Sequence, residues 1–206
     1  MQAQKKDYIW NSIGSFLQSA ISPILLIVIT RLNGVGDSGL FSFAMSLSVV
    51  FWAISLWGGR TYQVSDVKKE FSSGDYIVVR FISSLIVAVF SISFCVLSGY
   101  DLIKTELIMV LVSFKILESI ADSMYGVLQI HNKLYIVGIS LTIKSVFSFM
   151  IFAIVDILTK NIVYGALSIF IVNIVVVIFY DIPWMKHVES VGLTKKNIMQ
   201  AGKIMK

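Results

Sequence analysis

Three charged residues interrupt an otherwise apolar stretch of the sequence between residues 107 and 130. Lys115, Glu118 and Asp122 are spaced by three and four positions, so they share one face of a helix. Inside a bilayer each ionised side chain costs roughly 2.5–3.5 kcal/mol, and such residues commonly handle ions, protons or an anionic group. Because the two carboxylates repel each other at this spacing, one of them is a candidate for proton coupling. The competing interpretation is a network of ion pairs that only holds helices in register.

Polar residues in two other apolar stretches are expected to lie near these three charged residues, in the interior of a helical bundle. Lys144 is predicted to lie at the level of Glu118 and Asp122 and to pair with one of them. In the first stretch, polar residues spaced by four, three and four positions form a stripe that either packs against a helix or lines a cavity. This stripe consists of Asn11, Ser15, Gln18 and Ser22.

Two arginines, Arg31 and Arg60, lie next to apolar stretches and are candidates for contact with a phosphate-bearing cargo. The planar guanidinium fork binds two phosphate oxygens at once, although retention of positive charge on one side of a membrane explains the same residues. Arg80 stands at a similar boundary and is expected to act as an anchor. Gln63 and Asp66 are expected to pair with these arginines or to cap the next helix.

The elements that position these residues are predicted to be membrane-spanning helices. The chain is 57% hydrophobic and 14% charged, and its mean hydropathy is +0.85, whereas soluble domains carry about 25% charged residues. A bilayer core needs about 20 apolar residues per helix. Six segments qualify, approximately 8–30, 38–58, 77–98, 107–130, 136–157 and 162–180. We predict an all-α polytopic membrane protein with one six-span lobe over 1–180 and a basic interfacial tail over 181–206.

The basic residues set the expected direction of insertion. If the N-terminus is cytoplasmic, 12 of the 17 lysines and arginines fall on that side, only Arg31, Lys104 and Lys160 fall outside, and Lys115 and Lys144 lie within spans. The cytoplasmic ones are Lys5, Lys6, Arg60, Lys68, Lys69, Arg80, Lys133, Lys186, Lys195, Lys196, Lys203 and Lys206. Both termini are therefore predicted to be cytoplasmic. The net charge of +5 reflects topology, and no nucleic-acid partner is expected.

The tail and the remaining reactive residues carry weaker signals. Thr194 is a candidate cap for a short helix with an apolar face at Ile198, Met199 and Met205. The single cysteine, Cys95, is expected to be a buried or lipid-facing apolar residue. No nucleotide-binding, hydrolase or zinc-protease motif is present, and the two histidines lack partner ligands. We expect no enzyme activity, no metal and no cofactor.

Three parts of the sequence together resemble a known family. They are NSIGSFLQSAISPILLIVITRLNGVGDSGLFSFA, the pair GGRTYQVSDV and DYIVVR, and ESIADSMYGVLQIHNKLYIVG. The chain resembles the amino-terminal half of Wzx-type polysaccharide repeat-unit flippases, in the multidrug/oligosaccharidyl-lipid/polysaccharide exporter superfamily. Such proteins have two six-helix lobes with the cargo cavity between them, so a second lobe is expected to follow the tail.

The resemblance implies transport of undecaprenyl-pyrophosphate-linked oligosaccharide across the bacterial cytoplasmic membrane for capsule, exopolysaccharide or O-antigen synthesis. Implied partners are the lipid-linked oligosaccharide, membrane lipids, and the polysaccharide polymerase and glycosyltransferases. Two other transporters of the superfamily stay open as alternatives, a drug/cation antiporter and a peptidoglycan-precursor flippase. A membrane scaffold that recruits synthesis enzymes without transporting anything is the alternative from another class.

Overall fold

A computed structural model describes residues 2–57, 59–66, 68–192 and 195–204. Within these residues the fold is all-helical. The helices are α1 Gln2–Leu32, α2 Val35–Leu56, α3 Gly59–Ser65, α4 Ser73–Ser98, α5 Leu102–Ile130, α6 Leu134–Thr159, α7 Ile162–Val176, α8 Ile182–Val188 and α9 Lys195–Ile204. A π-helical turn, Val177–Asp181, joins α7 to α8 without a break.

Local sequence signals explain where the long helices begin and end. Ser72 caps α4 in a reciprocal capping box with Asp75, and the Asn161 side chain accepts from the first backbone N–H groups of α7. Gly99 adopts the left-handed conformation that ends α4, with a φ of 62°. The polar breaks in the sequence therefore become tight turns between antiparallel helices.

The central helix of the bundle is α5. It contacts α2, α3, α4, α6, α7 and α8, and the other long helices surround it in the order α4, α2, α1, α6 and α7. The three charged residues that looked out of place in a membrane helix therefore lie on the helix with the most protein around it. Burial among protein neighbours is the usual way for a membrane helix to carry charge.

The helices α1 and α6 approach each other closely enough for their backbones to touch. A Cβ atom added at Gly138 would lie 2.2 Å from the Trp10 carbonyl carbon, and one added at Gly14 would lie 2.4 Å from the Gly138 carbonyl oxygen. Glycine at both positions permits this crossing, as small residues do between membrane helices. Near the start of α6, the Asp7 carboxylate accepts a hydrogen bond from the backbone N–H of Tyr135 at 2.8 Å.

Five helices in the described residues are long and apolar enough to cross a membrane: the regions around α1, α2, α4 and α6, and the continuous helix from α7 through α8. The chain is thus a multi-pass membrane protein by length and composition. The segment predicted as a further span, 107–130, forms the 29-residue helix α5, which is not among the five. Large apolar side chains such as Leu85, Val89 and Leu97 point outward on α4, as lipid-facing residues do.

The C-terminal region is more helical than the sequence predicted. The last predicted span, 162–180, continues through the π-helical turn and α8 to Val188. The helix α9 packs against the start of α4, where Asn197 donates to Asp75 at 2.8 Å. Ile198 and Met199 are exposed on α9. The proposed cap Thr194, the apolar residue Met205 and the predicted span end at residue 58 lie outside the described residues.

Candidate functional site

A hydrogen-bonded group joins α1 to the middle of α5. The Lys115 ammonium lies 2.6 Å from a Glu118 carboxylate oxygen. The other Glu118 oxygen accepts from the Gln18 amide at 3.0 Å. Lys115 also lies 4.8 Å from the centre of the Phe114 ring and 5.5 Å from that of Trp52, so aromatic faces replace part of its hydration. Gln18 from the predicted stripe of α1 and two of the three charged residues of α5 therefore meet in this group.

Asp122, one turn further along α5, is shared by two arginines. Each of its carboxylate oxygens lies 3.1 Å from one guanidinium, of Arg60 on α3 and of Arg80 on α4. Arg60 also donates from Nε and Nη2 to the Gln129 side-chain oxygen, at 3.0 and 2.8 Å. We call Asp122, Arg60, Arg80 and Gln129 the Asp122 cluster. It ties three helices together near one end of the bundle.

The two arginines of the Asp122 cluster differ in accessibility. The Arg80 side chain is 3% exposed, whereas that of Arg60 is 29% exposed. Arg80 also donates to the carbonyl oxygens of Ser55 and Leu56, which end α2. It therefore satisfies helix-end carbonyls as well as a carboxylate. Arg80, expected only to anchor a helix boundary, is a buried part of the structure, and Arg60 is the arginine that an external group can reach.

Lys144 on α6 belongs to a second buried network. Its ammonium lies 2.6 Å from an Asp181 oxygen and donates to the Tyr125 hydroxyl at 2.7 Å. The other Asp181 oxygen accepts from the Ser140 hydroxyl at 2.6 Å. We call Lys144, Asp181, Tyr125 and Ser140 the Lys144 cluster. It connects α5, α6 and the π-helical turn, and such turns often occur at functional sites.

The pairing predicted for Lys144 is wrong. Lys144 pairs with Asp181, while Glu118 and Asp122 each have a different basic partner. Asp181 was not predicted as the partner of Lys144, because it lies one residue beyond the predicted end of the last span. The helix in fact continues past it. With each α5 carboxylate separately paired, their mutual repulsion no longer singles out one of them as a proton carrier.

Tyr125 connects the two clusters. Its hydroxyl contacts Lys144, and the Arg60 guanidinium carbon lies 6.0 Å from the centre of its ring. Movement of the Tyr125 ring would therefore alter the contacts of both the buried Lys144 ammonium and the more accessible Arg60 guanidinium. Nothing in the pattern of the sequence singled out this tyrosine.

A small cavity lies beside these groups. It has a volume of about 30 Å³ and is lined by residues of α1, α2, α5, α6 and α7, which leaves room for about one or two water molecules. Gln18, Glu118 and Lys144 line it. Its remaining polar lining is Ser145, Ser148 and Asn173. Polar residues from four predicted spans thus border one small cavity.

Other predicted site residues lie away from this cavity. Asn11 is half-buried near the α1–α6 backbone contact, and Arg31 is exposed in the last turn of α1, at the opposite end of the bundle from the Asp122 cluster. In the polar stripe of α1, Ser15 is exposed and Ser22 is half-buried. The inward face of α1 instead carries Gly14 and apolar residues, so the stripe lies along its edge.

The loop before α4 is ordered by Asp66 rather than by an arginine. Its carboxylate accepts from the backbone N–H groups of Glu70 and Phe71, at 3.0 and 3.1 Å, and from the Tyr76 hydroxyl at 2.9 Å. The hydrogen bond from Glu70 is the main cause that lowers the pKa of Asp66 below its ordinary value. Neither Asp66 nor Gln63 pairs with Arg60 or Arg80, contrary to one of the two expectations for these residues.

In the part of the chain that the structure describes, no group of three histidine, cysteine, aspartate or glutamate side chains could hold a metal ion. The described polar groups of the site include ammonium, guanidinium, amide and hydroxyl donors.

Comparison with known proteins gives one informative similarity. The chain is 26% identical over 157 residues to the capsular polysaccharide biosynthesis protein CapF of Staphylococcus aureus. The aligned part covers 76% of this chain but only 38% of the relative's length. No family profile matches the chain, and no solved structure matches it.

Proposed function

We propose that this chain is the amino-terminal, six-span lobe of a flippase in the bacterial cytoplasmic membrane. The cargo is an undecaprenyl-pyrophosphate-linked oligosaccharide that crosses from the cytoplasmic to the outer leaflet for surface polysaccharide assembly. Both ends of this chain lie on the cytoplasmic side, as the distribution of basic residues predicts. The protein makes and breaks no covalent bond, and its work is to carry a hydrated head group through hydrocarbon.

The observation that carries this proposal is the cavity shared by Gln18, Glu118 and Lys144 inside a bundle of long apolar helices. Buried ionisable residues in a membrane bundle usually mark the path or the coupling machinery of transport. The similarity to a capsular polysaccharide biosynthesis protein supports a saccharide as the cargo. In this proposal α5 also crosses the membrane, which brings the number of spans to six, and its charged residues are tolerated because protein surrounds them.

The balance of charge favours an anionic cargo over a drug cation. The paired groups around α5 include four basic residues, Arg60, Arg80, Lys115 and Lys144, against the three acids Glu118, Asp122 and Asp181. A pyrophosphate suits this excess, since guanidinium and ammonium groups bind its oxygens directly. A cation antiporter would be better served by an acidic excess.

Arg60 is the residue that we propose first contacts the pyrophosphate. It is part-exposed, and Asp122 stays paired with the buried Arg80 when Arg60 turns away. Exchange of Asp122 for a phosphate therefore leaves no buried carboxylate without a partner, which keeps its cost low. The second lobe would supply the opposite wall, and rocking between the lobes would expose the cargo alternately.

The test is the leaflet distribution of the lipid-linked oligosaccharide in a strain that lacks the gene for this chain. Right-side-out and inside-out membrane vesicles are treated with a glycosidase that cannot cross the membrane. We expect the lipid-linked oligosaccharide of the deletion strain to be cleaved mainly in inside-out vesicles. Complementation with the wild-type gene should restore cleavage in right-side-out vesicles.

The same assay separates transport from a scaffold role. Loss of a scaffold would reduce polymer, while the precursor would still reach the outer leaflet. An unchanged leaflet distribution in the deletion strain would therefore overturn the flippase proposal.

A further inference from the structure

A second and larger cavity opens at the end of the bundle that carries the N-terminus. Its volume is about 500 Å³, within the range of small-molecule sites. Residues from α3, the loop before α4, the first turn of α4, the end of α5 and the segment after α8 form its wall. Those with the most useful chemistry are Gln63, Asp66, Lys69, Phe71, Tyr76 and His131.

Gln63 is unusual among the residues that line this cavity. It is 2% exposed, and neither its amide nitrogen nor its amide oxygen has a hydrogen-bond partner within the described residues. A buried amide in this state is destabilising, because its hydrogen bonds to water are lost without replacement. Water or a ligand in the cavity would supply partners after a rotation of the Gln63 side chain.

The Gln63 amide occupies a space that a glycine on the neighbouring helix leaves open. The Gln63 amide rests against Gly126 of α5, where an added Cβ atom would lie 2.2 Å from the amide oxygen. The absence of a side chain at Gly126 therefore creates the space that the amide occupies. A residue kept only for packing would fill that space with carbon, without an unpaired polar group.

Two acidic side chains and the histidine of the cavity wall are already engaged. Asp66 is held by two backbone N–H groups and the Tyr76 hydroxyl, and His131 lies 3.7 Å from Glu189. The carboxylates of Asp66 and Glu189 outnumber the ammonium of Lys69 by one in this wall. This disfavours an acidic ligand, and the Gln63 amide is a buried group of the wall with both unused donors and an unused acceptor.

We propose that this cavity binds an uncharged saccharide, whose neighbouring hydroxyl groups pair with the donor and the acceptor of the Gln63 amide. The aromatic side chains of Phe71 and Tyr76 add apolar contact surface. The choice of a saccharide rests on the proposed function, in which the sugar head group starts on the cytoplasmic side of the membrane. The cavity would hold the head group there before transport, apart from the cavity beside Lys144.

The test is saccharide binding to the purified protein, as its gene encodes it, in nanodiscs free of sugar-based detergent. Cellobiose and N,N′-diacetylchitobiose are the neutral probes, and cellobiouronic acid is the acidic one, with binding followed by saturation-transfer NMR and calorimetry. We expect the neutral probes to bind and the acidic probe to bind several-fold more weakly. Failure of both neutral probes to bind, or tighter binding of the acidic one, overturns the proposal.

Two variants assign the binding to Gln63. Gln63→Leu removes the amide at similar volume and should weaken binding about tenfold or more, while Tm rises because an unpaired buried polar group is gone. Gln63→Met also removes the amide at similar volume and should weaken binding similarly, which decides the matter if Gln63→Leu does not fold. Gly39→Ala, which meets open space, is the control. Unchanged binding in both variants would show that the amide holds only water and would overturn the site.

The leaflet assay, combined with the binding measurement, distinguishes failure of this site from failure of the proposed function. Absent saccharide binding combined with a leaflet defect on gene deletion overturns the site alone. Saccharide binding combined with a normal leaflet distribution on gene deletion overturns the flippase alone.

Discussion

The Lys144 ammonium lies 2.6 Å from an Asp181 carboxylate oxygen, and the pair joins the middle of α6 to the π-helical turn after α7. Both side chains are almost completely buried, at 7% and 1% exposure. Neither charge has access to bulk water, so each depends on the other.

Removing one charge of this pair should destabilise the folded protein far more than removing both charges. Lys144→Met leaves Asp181 as a buried charge without a cation and should destabilise the protein by roughly 3–5 kcal/mol. Adding Asp181→Asn should restore most of that stability. Thermal unfolding in detergent and abundance in the membrane measure both effects, with Lys203→Met on the exposed surface as the control. A double variant no more stable than Lys144→Met would contradict the dependence of one charge on the other.

Substitutions of the two arginines that contact Asp122 should have different effects, one mainly on stability and the other mainly on transport. Arg80→Gln removes contacts to Asp122 and to the end of α2, and we expect a loss of roughly 2–5 kcal/mol with low abundance. Arg60→Gln, at the more exposed position, should cost less than about 1 kcal/mol yet slow transport several-fold. Abundance and the vesicle assay, measured side by side, distinguish the two. Equal transport by Arg60→Gln and wild-type protein would remove Arg60 from the cargo pathway.

The backbone contact between α1 and α6 makes a prediction about packing. Gly138→Ala places a methyl group against the Trp10 and Asn11 backbone, which cannot move without separating the helices. We expect destabilisation of roughly 1–3 kcal/mol. Gly39→Ala adds the same methyl group in open space on α2 and should be neutral or slightly stabilising. Equal Tm values for the two variants would show that the crossing is looser than described.

The loop before α4 should resist acid until the pH falls below about 4. The pKa of Asp66 is lowered in the folded protein, so its stabilising contribution is complete above its unfolded pKa of about 3.9. That contribution is lost as the pH falls through the folded value. Hydrogen exchange of the Glu70 and Phe71 amides, corrected for intrinsic rates, should show protection down to that range.

Asp66→Asn provides the comparison for this loop. It weakens the acceptor, and those amides should exchange faster at neutral pH. An Asp66→Asn protein with the same protection and the same pH profile would show that the carboxylate does not order the loop.

The sequence was informative about which residues are buried and charged, and less so about their partners. Lys115, Glu118 and Asp122 stood out because charge is rare in apolar helices, and Gln18 because of its spacing with other polar residues. Their pairing depends on how each helix is rotated about its axis and on which neighbour it meets. Those quantities come from tertiary packing, which local spacing does not encode. Arg80 therefore looked like an ordinary boundary arginine until its position beside Asp122 was seen.

The end of the last long helix shows a second reason for error. Hydropathy falls after Tyr180, which predicts a tail, yet the backbone continues through a π-helical turn into α8. Pro183 follows directly after this turn and has no backbone N–H, so the continuous helix lacks one hydrogen-bond donor there. Asp181 is polar enough to end a hydropathy window, but its pairing with Lys144 lets it remain inside the bundle. Hydropathy alone therefore predicted too early an end for this helix, because it does not account for the buried ion pair.

Transport by the purified protein, as its gene encodes it, tests the central claim most directly. Proteoliposomes containing a lipid-linked oligosaccharide are exposed to a membrane-impermeant glycosidase, and the protected inner-leaflet fraction is followed over time. The account predicts that wild-type protein makes this fraction accessible and that Arg60→Gln does so several-fold more slowly at equal protein content. Protection that persists as it does in protein-free liposomes would contradict the claim that this bundle moves the head group across the membrane.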